Sequence, residues 1–183
     1  MAVDARGAFT GIEGRQTVDY ALLSIQQNQS QLSSMADTKA SILITVCSIV
    51  LTAGLSGFAT PSLRWPFLLL AASVLLSLIF AVLAVLPSVS VPRRSDGTVD
   101  LAAPSFNVTF FGHFAALSRE RFEELFADVA RDDAQLYAML ARDIYGQGIV
   151  LDRKYRMLRR SYLTFIVGIL AAAVHAVGVL LLV

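Results

Sequence analysis

Hydroxyl side chains recur along one stretch of the chain at spacings of four, three, four and four residues. The members of this hydroxyl stripe are Ser41, Thr45, Ser48, Thr52 and Ser56. Residues three or four positions apart share a helix face, so the stripe predicts one hydroxyl-lined face. Such a face, with Ala53, Gly54 and Gly57 close by, favours tight packing between membrane helices. Repeated around a symmetric oligomer, the same face would instead line a polar path, and the sequence leaves both interpretations open.

The stripe lies in the first of three long runs that contain no charged side chain. The runs cover residues 40–59, 65–86 and 161–183. A helix needs about 20 apolar residues to cross the hydrocarbon core of a bilayer. The sequence therefore predicts an all-α membrane protein with three transmembrane helices.

Basic residues lie almost entirely on one side of these spans. Of the 15 Lys and Arg residues, only Arg64 lies in the predicted outer loop, residues 60–64. The positive-inside rule places the two remaining polar stretches in the cytoplasm. We expect a multi-pass protein of the cell membrane whose N-terminus is cytoplasmic and whose C-terminus is outside.

Composition and motifs exclude several classes of function. The net charge is +1, which gives no overall field that would attract nucleic acid. The single cysteine, Cys47, lies in the first span, so no disulfide forms within the chain. The sequence has no Walker-type phosphate loop, no nucleophile elbow and no Cys or His spacing typical of a metal site. We therefore expect no enzymatic activity, no cofactor and no bound metal.

Apolar patterns outside the spans predict helices that continue past the membrane. Before the first span, a coiled-coil-like stripe follows three- and four-residue steps, with Gln29 at one position. Its apolar members are Val18, Leu22, Ile25, Leu32 and Ala36. No Pro or Gly separates this segment from the span, so we expect one nearly continuous helix from Glu13 to about Ala59.

A second helical pattern begins at Ser118, a predicted N-cap, and continues into the third span. Asp132 and Asp133 interrupt it, and Gly146 and Gly148 predict a break or hinge. In the aromatic segment before it, residues 106–117, Phe106, Val108 and Phe110 alternate like a strand or an extended segment, and we expect the segment to pack against the cytoplasmic helices.

These patterns divide the chain into segments. We predict a flexible tail (1–14), a cytoplasmic helix continuous with the first span (15–39), the first span (40–59), an outer loop (60–64), the second span (65–86), a cytoplasmic linker (87–105), a cytoplasmic helical region (106–160) and the third span (161–183). The first and third spans would be parallel, and each would continue into a cytoplasmic helical bundle. A rearrangement of that bundle would tilt or rotate both spans.

Three motifs resemble the transmembrane effectors of Pycsar anti-phage systems. They are ADTKAS at residues 36–41, FFG at residues 110–112, and DIYxxGxxLxxKYxxLR from Asp143 to Arg159. The motifs are short, but the resemblance covers most of residues 26–168, and the order of the motifs relative to three spans is similar to that of the family. The resemblance implies a protein of the bacterial inner membrane that senses cyclic UMP or cyclic CMP made by a partner cyclase. It also implies that the activated effector impairs the membrane and stops growth of the infected cell.

A cyclic nucleotide needs cationic or backbone N–H donors for its phosphate and an aromatic face for its base. Both residue types flank the glycines of the third motif, and Lys39 could also contact a phosphate. The candidate ligand-binding residues are Lys39, Arg142, Asp143, Tyr145, Arg153, Lys154 and Tyr155. The alternative is an amphipathic helix with solvated charges. The phenylalanines of the aromatic segment are expected in the core rather than against a base: Phe106, Phe110, Phe111 and Phe114.

Two further charged positions suit helix packing as well as function. Asp37 is expected level with about Leu158, where it could pair with Arg156, Arg159 or Arg160. His175 lies inside the third span, where an ionisable side chain indicates a function unless it is neutral and bonded to a neighbouring hydroxyl.

We therefore predict a membrane effector, homo-oligomeric and in contact with lipid, that is gated by a cyclic pyrimidine nucleotide. The alternative is a non-gated oligomeric membrane adaptor that recruits a cytoplasmic partner. A small transporter is a weaker possibility, because three spans with one histidine offer no charged path for a substrate.

Overall fold

The computed structural model describes residues 15–54, 57, 59–86, 91–103 and 105–181. Within these ranges the regular structure is helical and no β-strand is present, which confirms the predicted all-α fold. The helices are α1 (Arg15–Gly54), α2 (Arg64–Val85), α3 (Phe111–Phe114), α4 (Arg119–Ala130) and α5 (Asp133–Leu181), and a 3₁₀ turn covers Pro61–Leu63.

Three of the described helices are long and apolar enough to cross a membrane. They are Gln16–Gly54, Pro61–Val85 and Asp133–Leu181. The prediction of three spans, with a long first and a long third helix, is confirmed. The predicted tail and the proposed helix start at Glu13 lie outside the described residues.

The positions of proline and glycine agree with the bounds of the long helices α1 and α2. α1 has no Pro, and its single Gly is its last residue, Gly54. Pro66 lies in the first turn of α2, where a missing N–H costs no helical hydrogen bond.

The predicted break at Gly146 and Gly148 is wrong. α5 is one helix of 49 residues that runs through both glycines. Glycine in a helix costs about 1 kcal/mol relative to Ala, which flanking helix formers and packing can offset. The helix starts instead at Asp133, because the Asp132 carboxylate accepts hydrogen bonds from the N–H groups of Ala134 and Gln135 at 3.0 and 3.1 Å.

The alternation of Phe106, Val108 and Phe110 does not produce a strand in the aromatic segment. The segment forms turns and the short helix α3, because polar side chains bond to its backbone. The Asn107 N–H donates to Nδ1 of His113 at 2.9 Å, and the side-chain oxygen of Asn107 accepts from the Thr109 N–H at 2.9 Å. The predicted N-cap is confirmed, since Oγ of Ser118 accepts from the Arg121 N–H at 3.3 Å.

A tight turn occupies the middle of the predicted linker. Arg93 and Val99 form an isolated bridge, and Gly97 has a φ of 84°, which glycine adopts without strain. Hydrogen bonds from Thr98 lower the pKa of Asp96 below its usual value. Arg94 pairs with Asp100 at 3.3 Å.

The chain forms two compact units. The polar unit comprises Met1–Gln29 and Pro87–Ile149, and the span unit comprises Ser30–Leu86 and Val150–Val183. Helices α1 and α5 contribute residues to both. In the span unit, small side chains dominate one buried cluster, Ala36, Ala40, Ala84 and Leu158, and a second contains Leu43, Cys47 and Val74. Small residues let membrane helices approach closely.

Candidate functional site

A polar cluster joins all three long helices inside the span unit. Cys47 of α1, Ser77 of α2 and Ser161 of α5 are each 0 % exposed. Oγ of Ser77 donates to the Ser161 carbonyl at 2.8 Å, and Oγ of Ser161 donates to the Ser77 carbonyl at 2.6 Å. The Cys47 thiol lies 3.8 Å from the Ser77 hydroxyl. These reciprocal bonds fix α2 against α5 in an apolar setting, where no water competes for them.

The charged contact between α1 and α5 is a different pair from the one predicted. Nζ of Lys154 lies 2.8 Å from Oδ1 of Asp37 and 2.9 Å from Oγ of Ser33. The expected pairing of Asp37 with Arg156, Arg159 or Arg160 is therefore wrong. Lys154, Leu158 and Ser161 share the α5 face toward the core at spacings of four and three, and the three arginines lie on other faces.

The candidate ligand residues of the span unit fall into two groups: two residues join helices, and two are exposed. Lys154 takes part in the pair with Asp37, and the Tyr155 hydroxyl donates to the Leu32 carbonyl at 3.3 Å. Both residues therefore hold α5 against α1. Lys39 and Arg153 are exposed, and their charged groups point to no acidic partner in the described part of the chain.

The candidate ligand residues of the polar unit lie on α5. Arg142 is exposed, and Tyr145, one turn further, is 72 % exposed. Asp143 accepts a hydrogen bond from Nε2 of Gln147 at 2.7 Å. An exposed guanidinium one helical turn from an exposed ring can contact an anion and stack on a planar group.

Two buried polar atoms of the polar unit have no hydrogen-bond partner among the described residues. They are Oε1 of Gln29 and Nδ2 of Asn107. Gln29 donates through Nε2 to the Ile144 carbonyl at 3.1 Å, which fixes its amide orientation. In the sequence, Gln29 is only a gap in an apolar stripe, and Asn107 begins an Asn-Val-Thr sequon, which has no meaning in a cytoplasmic segment. Only the missing hydrogen-bond partners of these buried atoms indicate that the two residues are candidates for ligand binding, and this feature is visible only in the structure.

The aromatic segment is partly core and partly surface. The Phe106 ring stacks on His113 with centroids 5.6 Å apart, and Phe110 meets His113 edge-on at 4.9 Å. Phe111 is 61 % exposed, whereas Phe114 contacts Phe122 at 5.3 Å.

The hydroxyl stripe faces away from the core of the span unit. Its described members, Ser41, Thr45, Ser48 and Thr52, are exposed. Three of them donate to carbonyls four residues earlier on α1, at 2.9 to 3.0 Å. Ser56 lies outside the described residues. Because these three hydroxyls are satisfied within α1, they can contact lipid or another copy of the chain without an unpaired donor.

His175 is exposed and lines an apolar groove of about 590 Å³ together with Leu69 of α2. No group of three or more His, Cys, Asp or Glu side chains in the described ranges has the geometry of a metal site.

The chain is similar over most of its length to one known protein family. The Pycsar effector protein domain matches residues 20–182, which include all three spans and both polar segments. No curated protein and no solved structure matches the chain. The matched family consists of effectors of anti-phage defence and is not a known enzyme family. The chain therefore belongs to the Pycsar effector family and is a membrane protein of anti-phage defence.

Proposed function

We propose that this effector binds cyclic UMP or cyclic CMP made by a partner cyclase, and that binding impairs the inner membrane and stops growth of the infected cell. One observation carries the proposal beyond family membership. Two of the three membrane-spanning helices, α1 and α5, each continue without a break into a polar segment. A change in either polar segment can therefore reach a span through a continuous helix.

The polar unit supplies groups suited to a nucleotide. The Arg142 guanidinium would contact the phosphate, and the Tyr145 ring would stack on the base. Gln29, whose Nε2 donates to the carbonyl of Ile144 next to Tyr145, supplies through Oε1 an unpaired acceptor for a donor on the pyrimidine edge. We place Arg142, Asp143 and Tyr145 first among the candidates, because Lys154 and Tyr155 are engaged in contacts with α1.

The span unit supplies contacts that would hold a resting state. The pair Asp37–Lys154 and the bonds between Ser77 and Ser161 join different helices. Weakening them would let the spans separate or rotate. In a homo-oligomer, the exposed hydroxyl stripe would then line a polar path across the membrane. With the basic segments in the cytoplasm, both polar segments face the compartment where the nucleotide is made.

Thermal unfolding of the purified protein in neutral detergent tests the binding step. A ligand that binds the folded state raises the melting temperature in a concentration-dependent way. We expect cyclic UMP or cyclic CMP to do so, and linear UMP, linear CMP and cyclic AMP to have no effect.

Variants localise the ligand. R142Q and Y145A should abolish the shift, and the matched control R119Q should keep it, because Arg119 is an exposed arginine on α4 paired with Glu123. An absence of any shift at saturating nucleotide, or an equal shift with the linear nucleotides, would contradict the proposed sensor.

A further inference from the structure

One exposed face of α5 is basic at one end and apolar along the rest. Arg160, Leu163, Val167, Leu170 and Val174 follow each other at spacings of three, four, three and four, so they form one continuous stripe. The four apolar side chains are 52 to 73 % exposed. The opposite face carries the buried residues Leu158, Ser161 and Ala172. This outward stripe is therefore unpartnered within the described residues of the span unit.

The basic end of the stripe carries uncompensated charge. Arg156, Arg159 and Arg160 are exposed, and Arg156 is paired with Asp152. Asp37, the other acidic residue of the span unit near these arginines, is paired with Lys154. Arg159 and Arg160 have no acidic partner among the residues that the structure describes.

The apolar part of the stripe opens into a groove between α5 and α2. The groove has a volume of about 590 Å³ and is lined by Leu69, Val167, Leu170, Ala171, Val174 and His175. At 1.5 Å per residue, it begins roughly 10 Å from Arg160, at Val167, and extends to roughly 22 Å, at His175. One leaflet of a bilayer core is roughly 15 Å thick. An acyl chain whose head group lies at Arg160 would therefore reach the end of the groove at Val167 and Leu170.

We propose that this face of α5 binds one anionic phospholipid. The phosphate contacts Arg159 and Arg160, and one acyl chain lies along Leu163 and in the groove. Charge complementarity selects an anionic lipid over a zwitterionic one. Charge also disfavours a second copy of the chain packed symmetrically on the same face. In such a dimer, Arg159 and Arg160 of one copy would lie against the same two arginines of the other copy, and the like charges would repel.

A tryptophan on the stripe itself reports on this site. The single tryptophan of the chain, Trp65, lies beyond Leu69 on α2, toward the end of α5 that is far from Arg160. The variant W65F/L163W instead carries its one indole at an exposed position one turn from Arg160. Phospholipids brominated in the acyl chain quench tryptophan on contact. The experiment titrates full-length W65F/L163W in neutral detergent with brominated phosphatidylglycerol or brominated phosphatidylcholine and records its tryptophan fluorescence.

Each arginine near an anionic lipid surface is worth about five-fold in affinity. We expect phosphatidylglycerol to quench half-maximally at about 25-fold lower concentration than phosphatidylcholine, because two arginines contribute. R159Q/R160Q should bring the two lipids to the same midpoint. The control R119Q/R131Q makes the same change in net charge on α4 and just after it, and should keep the preference.

A second variant tests the groove. V167F fills it from an exposed position and should weaken quenching by both lipids while the preference for phosphatidylglycerol remains. Equal midpoints for the two lipids with W65F/L163W and both arginines intact would overturn the proposal. So would a preference that survives R159Q/R160Q, or displacement of phosphatidylglycerol by cyclic UMP or inorganic phosphate, which would make these arginines a site for a soluble anion.

Discussion

Asp37 and Lys154 show how one residue pair can join two membrane helices. The Lys154 side chain is 18 % exposed and the Asp37 side chain 45 %, so the pair is partly shielded from solvent. D37N should lower the free energy of unfolding by about 1–2 kcal/mol, because Lys154 loses its charged partner. Thermal unfolding in detergent measures the change.

A control pair for this contact lies on the exposed surface of α5. Asp152 pairs with Arg156 four residues later, and both side chains are more than half exposed. D152N should change stability by less than about 0.5 kcal/mol. The reversed pair D37K/K154D should recover part of the loss. Equal effects of D37N and D152N would show that the inter-helix pair contributes no more than a surface pair.

Ser77 and Ser161 define a second contact at the scale of single residues. S77A removes a hydroxyl that donates across helices, and should lower stability by about 1 kcal/mol. We also expect a slow membrane leak without nucleotide, because α2 is held less firmly against α5. Dye release from vesicles that contain the purified protein measures this leak.

S73A is the matched control on the same helix. The Ser73 hydroxyl donates only to carbonyls of α2 itself, at Leu69 and Leu70. S73A keeps the Cβ that faces Gly168 and removes no hydrogen bond between helices, so it should lower stability less than S77A does and cause no leak. A leak that is the same for S77A, S73A and the unmodified protein would argue against a restraining role for the serine pair.

At the level of helix packing, Gly168 allows α5 to approach α2 closely. A Cβ at this position would overlap the side chain of Ser73, whereas a Cβ at Gly178 would meet nothing within 4 Å. G168A should lower stability by about 1–3 kcal/mol through overpacking. G178A should be neutral or slightly stabilising, and a comparison of the two melting temperatures checks the packing. Equal melting temperatures would mean that α5 and α2 are further apart.

Gly146 tests whether α5 is rigid where the sequence suggested a hinge. It lies within the continuous helix, and no atom lies within 4 Å of a Cβ built on it. G146A should raise stability by about 0.5–1 kcal/mol and keep nucleotide-dependent activity. Loss of activity with raised stability would instead indicate that α5 must bend there during activation.

The helices were largely predictable, because long apolar runs and a single cap carry strong local signals. The second span was predicted at residues 65–86 and is Arg64–Val85, and Ser118 is the N-cap as expected. Gly146 misled the prediction because glycine marks breaks only where packing and neighbouring residues allow them.

The candidate site was less predictable, because its contacts join residues far apart in sequence. The bond between Ser77 and Ser161 depends on the register of α2 against α5, which no local pattern encodes. The partner of Asp37 depends on which α5 face meets α1. On a helical wheel Lys154 lies on the same face as Leu158, so this comparison would have favoured Lys154 over the three arginines as the partner of Asp37.

At the scale of the whole molecule, family and fold agree on a membrane effector. Three helices can span the bilayer, and two of them continue into polar segments with candidate nucleotide-binding groups. The contacts Asp37–Lys154 and Ser77–Ser161, which join different helices, lie in the span unit. We infer that activation acts by weakening such contacts and not by covalent chemistry.

The most direct test of nucleotide gating is the membrane potential of vesicles that contain the purified protein. A potassium gradient with valinomycin sets the potential, and a voltage-sensitive dye reports it. We predict that cyclic UMP or cyclic CMP collapses the potential, whereas the linear nucleotides do not. A potential that persists at nucleotide concentrations that saturate the thermal shift would contradict gating by the nucleotide.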